Sequence, residues 1–130
     1  MGSLFKLRDY WQTKYGDEEF DLHSMTIENL DNDPSGAAKI AVGSFQGNLR
    51  LLHAKQKGYT PDDVLFETNI GCPILQVGHG LVSASGARST ILLTPRKLIV
   101  GLFQRTAQAE GSGDPLQRVV AWRVESEIAL

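Results

Sequence analysis

Few residues of this chain have types and spacing that could do chemistry, and the strongest set is Asp31-x-Asp33-x-Ser35-Gly36. Oxygen-bearing side chains at alternate positions followed by a glycine open a calcium loop, because the ion takes hard oxygen ligands while the chain bends around it. The continuation does not follow. Lys39 falls on the ninth position and Val42 on the twelfth, where a bidentate glutamate is needed. A cation at Lys39 would also repel the ion, so the stretch reads as an Asx-type turn between strands.

The other candidates are weaker. His23, His53 and His79 are scattered, and Cys72 has no cysteine or histidine at ligand spacing, so no metal site is expected. Cys72, next to Pro73 and ahead of an apolar strand, reads as a small buried hydrophobe. Gly78-His79-Gly80 reads as a bend; a small hydrolase using His79 would need a neighbouring Asp or Glu to position the ring. Gly111-Ser112-Gly113 lacks the Lys-Ser/Thr that completes a phosphate loop. Arg88, Arg96, Lys97 and Arg105 are basic but not interleaved with aromatics, so no nucleic-acid groove is expected. No catalytic, cofactor-binding or metal-ligating residue is assigned, and the chain reads as a binding or structural unit rather than an enzyme.

The elements that would carry these residues are strands. In Lys39-Ile40-Ala41-Val42-Gly43, Ile40 and Val42 alternate with Ala41 and Gly43, the period of a β-strand. Gln46-Gly47-Asn48 supplies a tight reversal, and Leu49 and Leu51 resume the alternation on the way back. Val42 is placed on the buried side, so Val42→Asp is expected to unfold the domain. The unit recurs. Ile91 and Leu93 follow Ile40 and Val42 by 51 positions, Leu98 and Val100 follow Leu49 and Leu51 by 49, and Gln76-Val77 follows Thr26-Ile27 by 50. The second turn, around Thr94-Pro95-Arg96, is shorter. Several strands recurring at such a period match the blades of a β-propeller.

The expected fold is therefore all-β: about two four-stranded antiparallel blades of a partial β-propeller over residues 1–130, with a short N-terminal helical or extended segment. Residues 1–19 form that segment, 20–71 the first blade and 72–130 the second. First-blade strands are expected at about 20–30, 39–45, 49–54 and 64–70, and second-blade strands at about 74–83, 89–94, 98–106 and 117–128, the last as an outer edge. Leu4, Leu7, Trp11 and Tyr15 recur at helical spacing, so a helical turn is favoured over the first fifteen residues; the alternative is an extended run packing Trp11 on a blade. Residues 107–115 read as a mobile, Gly-rich loop.

Composition narrows the setting. An apolar fraction of 42% with 22% charged residues belongs to a globular chain, and a net charge of −2 gives no reason to expect nucleic acid. Eight acids against three bases fall in residues 1–35, read as a solvated acidic face. The single cysteine excludes an internal disulfide and points to a reducing compartment. No long apolar run could span a membrane, and Met1-Gly2-Ser3-Leu4-Phe5-Lys6 has Lys6 where a myristoylation site prefers Ser or Thr. A cytoplasmic location is expected. Two blades cannot close a ring, since propellers typically have at least four. The open ends thus predict self-association of the 130-residue chain, or a place within a longer protein.

Ser3-Leu4-Phe5-Lys6, Arg8-Asp9-Tyr10-Trp11 and Gly16-Asp17-Glu18-Glu19-Phe20-Asp21 resemble the N-terminus of the Bardet-Biedl syndrome protein nine family, also called the parathyroid hormone-responsive protein family. Asn29-Leu30-Asp31-Asn32, Lys39 to Phe45, Gly47, Leu49-Arg50, Pro73 to Val77 and Arg96-Lys97-Leu98 continue the likeness in order. None of these strings is a catalytic motif.

The resemblance implies the N-terminal β-propeller region of a BBSome subunit. This would be a non-enzymatic scaffold working by protein-protein contacts, in a complex that traffics membrane proteins to and from cilia. Its implied partners are other BBSome subunits, with peripheral membrane association only through the complex. Its implied location is the cytoplasm, at the cilium, basal body or ciliary membrane periphery. No cofactor and no functional residue is implied. The alternative is an unrelated β-repeat binding module that recognises a peptide or partner protein at its sheet edges.

Overall fold

The computed structural model describes residues 10–105 and 120–130. They form eight strands, β1 Met25–Glu28, β2 Lys39–Gly43, β3 Asn48–Leu52, β4 Val64–Asn69, β5 Gln76–Gly80, β6 Ser89–Leu93, β7 Lys97–Arg105 and β8 Val120–Ala129. One 3₁₀ turn, Pro61–Asp63, precedes β4, and no α-helix occurs among the described residues. The strands make two antiparallel four-stranded sheets, ordered β1-β2-β3-β4 and β5-β6-β7-β8. The expected all-β, two-sheet architecture is what the chain adopts.

Turn chemistry sets the register of each central hairpin. In the first, Ser44 N–H donates to Asn48 O at 3.0 Å, and Gly47 takes φ 88°. A side chain at Gly47 would also strike the Cys72 carbonyl oxygen, 2.8 Å from where its Cβ would stand. In the second hairpin, Thr94 N–H donates to Lys97 O at 3.0 Å around Pro95-Arg96. Superposing these closures puts β7 49 residues after β3, the spacing read from the sequence. It puts β6 50 residues after β2, and β5 52 after β1, since Met25 pairs with Val42 and Val77 with Leu92. The sequence match of Ile40 with Ile91 and Val42 with Leu93 is thus one residue out of register, and that of Thr26-Ile27 with Gln76-Val77 is two out. A one-residue slip moves a side chain to the opposite face of its sheet.

The faces follow from that register. Ala41, Leu49 and Leu51 of the first sheet meet Val77, Leu92, Ile99 and Phe103 of the second in one apolar core. Phe66 and Phe103 touch edge to face at 5.8 Å, and Phe103 meets Trp122 at a tilt, their ring centres 4.7 Å apart. Close approach explains the small residues of β2: a Cβ on Gly43 would lie 2.4 Å from the Ile74 side chain. Ala41 and Gly43 therefore point into the inter-sheet core, and Val42 points away from it. This corrects the expectation that Val42 lies on the buried inner side.

In the repeat, Val42 corresponds to Leu92 and Arg50 to Ile99. The outward face of the first sheet is thus the counterpart of the inward face of the second. The sheets stack head to tail, as successive blades do. Val77 N–H donates to His23 O at 2.8 Å where β1 meets β5.

An ion cluster ties the stack together. Lys39, 1% exposed, donates to Asp31 Oδ1 at 3.1 Å, Asp33 Oδ2 at 3.2 Å and Ala37 O at 3.2 Å. Arg105, at the end of β7, reaches Asp33 Oδ2 at 2.7 Å and lies 3.7 Å from Asp31 Oδ2. Two buried or half-buried carboxylates are thereby matched by two cations from different sheets, which is what makes their burial tolerable.

The first strand is shorter than expected because residues 20–24 belong to a segment that runs over the first sheet. Residues 10–15 are not helical, and Trp11 packs on the first sheet's side of the molecule, the extended alternative. The helical expectation for residues 1–9, the Gly2 start, the loop 107–115 with Gly111-Ser112-Gly113, and residues 117–119 of the last strand lie outside the described residues.

Candidate interaction surfaces

None of the residues singled out for chemistry assembles a reactive site among those described. Lys39 Nζ sits between Asp31 and Asp33, where the calcium reading would have put the ion. The loop is an Asx-type turn, with Ser35 N–H donating to Asp33 Oδ1 at 3.0 Å and Asn29 bonding the Asp33 backbone on both sides. That backbone bond from Ser35, with help from Lys39, holds the Asp33 carboxyl at about 2. Among the described residues no group of three potential ligands could hold a metal ion.

His79 is exposed and its Nδ1 lies 2.9 Å from Arg88 Nη1. Cys72 is a free, half-buried thiol rather than the buried hydrophobe expected, because its stretch crosses the mouth of the first hairpin. Arg96 and Lys97 flank the second hairpin turn, with Lys97 paired to Glu127 at 3.3 Å. No helix among the described residues is long and apolar enough to cross a membrane.

What the structure does present is two apolar faces at opposite ends of the stack. The outward face of the first sheet has a partial cover, a strap formed by residues 10–24. Trp11 Nε1 donates to Asp63 Oδ2 at 2.7 Å, and its ring meets Tyr59 edge to face at 5.5 Å. Burial works against the Asp63 carboxylate, but the bonds from Trp11 and the Thr60 N–H outweigh it and keep the group below its usual range.

Further along the strap, Glu18 accepts from Arg50 through both oxygens, at 2.8 and 2.6 Å, and from Asn48 at 3.1 Å. The Arg50 guanidinium lies 3.8 Å from the centre of the Tyr15 ring. The hydrogen bond from Arg50 is the chief reason Glu18 is held at about 2. Between strap and sheet runs a groove of about 460 Å³, floored by Ile40, Val42 and Leu52 and walled by Tyr15, Phe20 and Leu22.

The outward face of the second sheet is covered at one end only: Leu102 and Ser89 are buried, and the loop after β5 reaches β8, where Ser83 Oγ donates to Glu125 Oε2 at 3.0 Å. At the other end Ile91, Leu93, Leu98 and Val100 alternate with the core residues of β6 and β7 and are half-buried. Ile128, paired with Leu98, is exposed. By register these residues correspond to the buried inner face of the first sheet: Ile91 to Ala41, Leu98 to Leu49, Val100 to Leu51.

Sequence reasoning did not find the strap's anchors. The available signal was Arg50, a charge in the middle of the apolar run Leu49-Arg50-Leu51-Leu52, which needs a partner if both faces of that strand are covered.

A family described as PTHB1 N-terminal matches residues 2–123. Over 104 residues the chain is 42% identical to Protein PTHB1 of Homo sapiens, 41% to that of Mus musculus and 38% to that of Xenopus laevis. Each alignment covers 75% of this chain and 12% of the relative, so the chain spans a small part of the length of the curated relatives it matches.

Proposed function

This chain belongs to the PTHB1 N-terminal family, and on that footing we propose that it is the leading portion of a β-propeller in a BBSome subunit. In this reading it is a non-enzymatic scaffold that works through protein-protein contacts in the traffic of membrane proteins to and from cilia. It resides in the cytoplasm at the cilium, basal body or ciliary membrane periphery, and meets the membrane only through its complex. Other BBSome subunits are its partners, and nucleic acid is not among them.

The observation that supports this most is the second sheet's outward face. Ile91, Leu93, Leu98 and Val100 correspond by register to a fully buried face yet are only half-buried among the described residues. An apolar face of that kind belongs to an assembly surface, whether the next sheet comes from a longer chain or from another copy. The 130-residue chain taken by itself self-associates for the same reason. The test is a pull-down from ciliated-cell extract with the full-length parent protein as bait. Recovery of other BBSome subunits is the expected result, and their absence overturns the trafficking reading.

A second reading, peptide addition at a sheet edge, is favoured by one observation: β8 is a ten-residue strand at the end of its sheet, largely exposed. Arg123, Glu125 and Glu127 along it are the kind of charges that blunt an edge against pairing. Chemical-shift changes confined to residues 120–129 on adding extended peptides would support the edge reading over the face reading.

A further inference from the structure

The two partly open ends of the stack are related to each other, and that relation specifies how copies of this chain meet. The internal interface joins the inward face of the first sheet to the inward face of the second. By register, the first of these surfaces recurs on the outward side of the second sheet, and the second recurs on the outward side of the first sheet. One copy therefore displays both halves of an interface that it already forms once within itself.

The clearest sign is Leu22. It stands three residues before Met25, as Ile74 stands three before Val77, and Met25 and Val77 hold the same place in their sheets. Ile74 is 0% exposed, packed against Gly43 of the sheet in front of it. Leu22 is 87% exposed. The same place in the repeat is fully buried behind a preceding sheet and open where the described residues hold none.

Charge agrees with this geometry. The segment before β5 crosses the turn of the first hairpin, with Ile70 N–H donating to Gly47 O and Ile74 N–H to Ser44 O. The strap segment carrying Asp17, Glu19 and Asp21 holds the corresponding place before β1. It would cross the turn of the next copy's second hairpin, which carries the exposed Arg96.

We propose that copies of this chain associate head to tail, the outward face of the second sheet in one copy seating on the Leu22 side of the strap groove in the next. The inference rests on the self-association reading above and adds its geometry. Such a contact is heterologous, so it propagates unless it closes into a ring. The strap remains over Arg50 and Leu52, which leaves only part of the face for the partner. The association is accordingly weak, concentration-dependent and weakened by salt.

The test uses the 130-residue chain in sedimentation velocity over a range of concentrations, with two variants that each spoil one end. Leu22→Arg changes a side chain that is already open to solvent, so it leaves the fold intact. Ile128→Arg does the same on the opposite face, and thermal melting of both checks that they remain folded.

Wild type growing in mass with concentration, each variant losing at least tenfold in association, and an equimolar mixture forming a one-to-one dimer that grows no further are the expected results. A wild type that stays monomeric overturns self-association altogether. A wild type that associates while Leu22→Arg does so equally well overturns only the head-to-tail geometry, and points to like faces meeting. Two variants that both fail alone and also fail when mixed overturn it as well, since complementary ends should still pair.

Discussion

Arg50 and Ile99 hold the same place in the two sheets and are about equally hidden, at 5% and 4% exposed. Their covers differ. Ile99 lies under another sheet, which offers it hydrocarbon. Arg50 lies under a strap, which offers it a carboxylate and an aromatic ring. Leu22 and Ile74 make the complementary pair: one place, the same aliphatic character, but a cover for only one of them. The repeat thus fixes where a side chain points, while the neighbour decides which side chain can be there. A chain that stacks its sheets head to tail must treat its first sheet differently, because no sheet within the described residues precedes it.

The largest expected effect comes from forcing the two places to exchange. Ile99→Arg puts a guanidinium against the inter-sheet core with no carboxylate in reach, and should cost about 3–5 kcal/mol. Chemical denaturation of the variant against wild type measures it, and a loss under 1 kcal/mol would mean the inward face of β7 has been misassigned.

Truncating the second pair should separate its members almost as widely. Ile74→Ala should cost about 2–5 kcal/mol, whereas Leu22→Ala should stay within about 0.5 kcal/mol. Equal losses would show that Leu22 is covered within the single chain.

Val42→Asp gives a smaller effect. Because Val42 faces the groove rather than the core, the variant should remain folded with a loss of about 1 kcal/mol. Complete unfolding, as expected from sequence, would restore Val42 to the inner side.

The smallest effect is on pH dependence. Glu18 is held at about 2 against an ordinary 4.5, first of all by its hydrogen bond with Arg50. A carboxyl lowered in the folded state stabilises fully above the unfolded value and loses that contribution as pH falls toward the folded one. The strap should therefore loosen between pH 4.5 and 2, read by the emission of Trp11 in a Trp122→Phe background. An emission unchanged down to pH 2 would detach Glu18 from the strap's hold on the sheet.

Much of this architecture was legible in the residues. Alternation and turn residues located the strands, and the 49-residue spacing of Leu49 and Leu51 to Leu98 and Val100 is the spacing of β3 to β7. The faces of β2 were not legible. Ile40 and Val42 are larger than Ala41 and Gly43, so size alone sends them inward. Ile74 in fact approaches so closely that only small residues fit on the inner side. The spacing of β2 to β6 misled for a related reason: both strands are apolar on each face, so a match one residue out looks as good as the true one. The strap was hidden because its hold depends on Glu18 meeting Arg50 and Trp11 meeting Asp63, pairs far apart in the chain. Only the lone charge at Arg50 hinted at it.

The second sheet's outward face is an interface that the described residues leave only partly filled. Methyl accessibility at Ile91, Leu93, Leu98 and Val100, read by a soluble paramagnetic probe, tests this most directly when the dilute 130-residue chain is compared with its full-length parent. Strong relaxation in the short chain and protection in the parent is the predicted result. The same strong relaxation in both would contradict it.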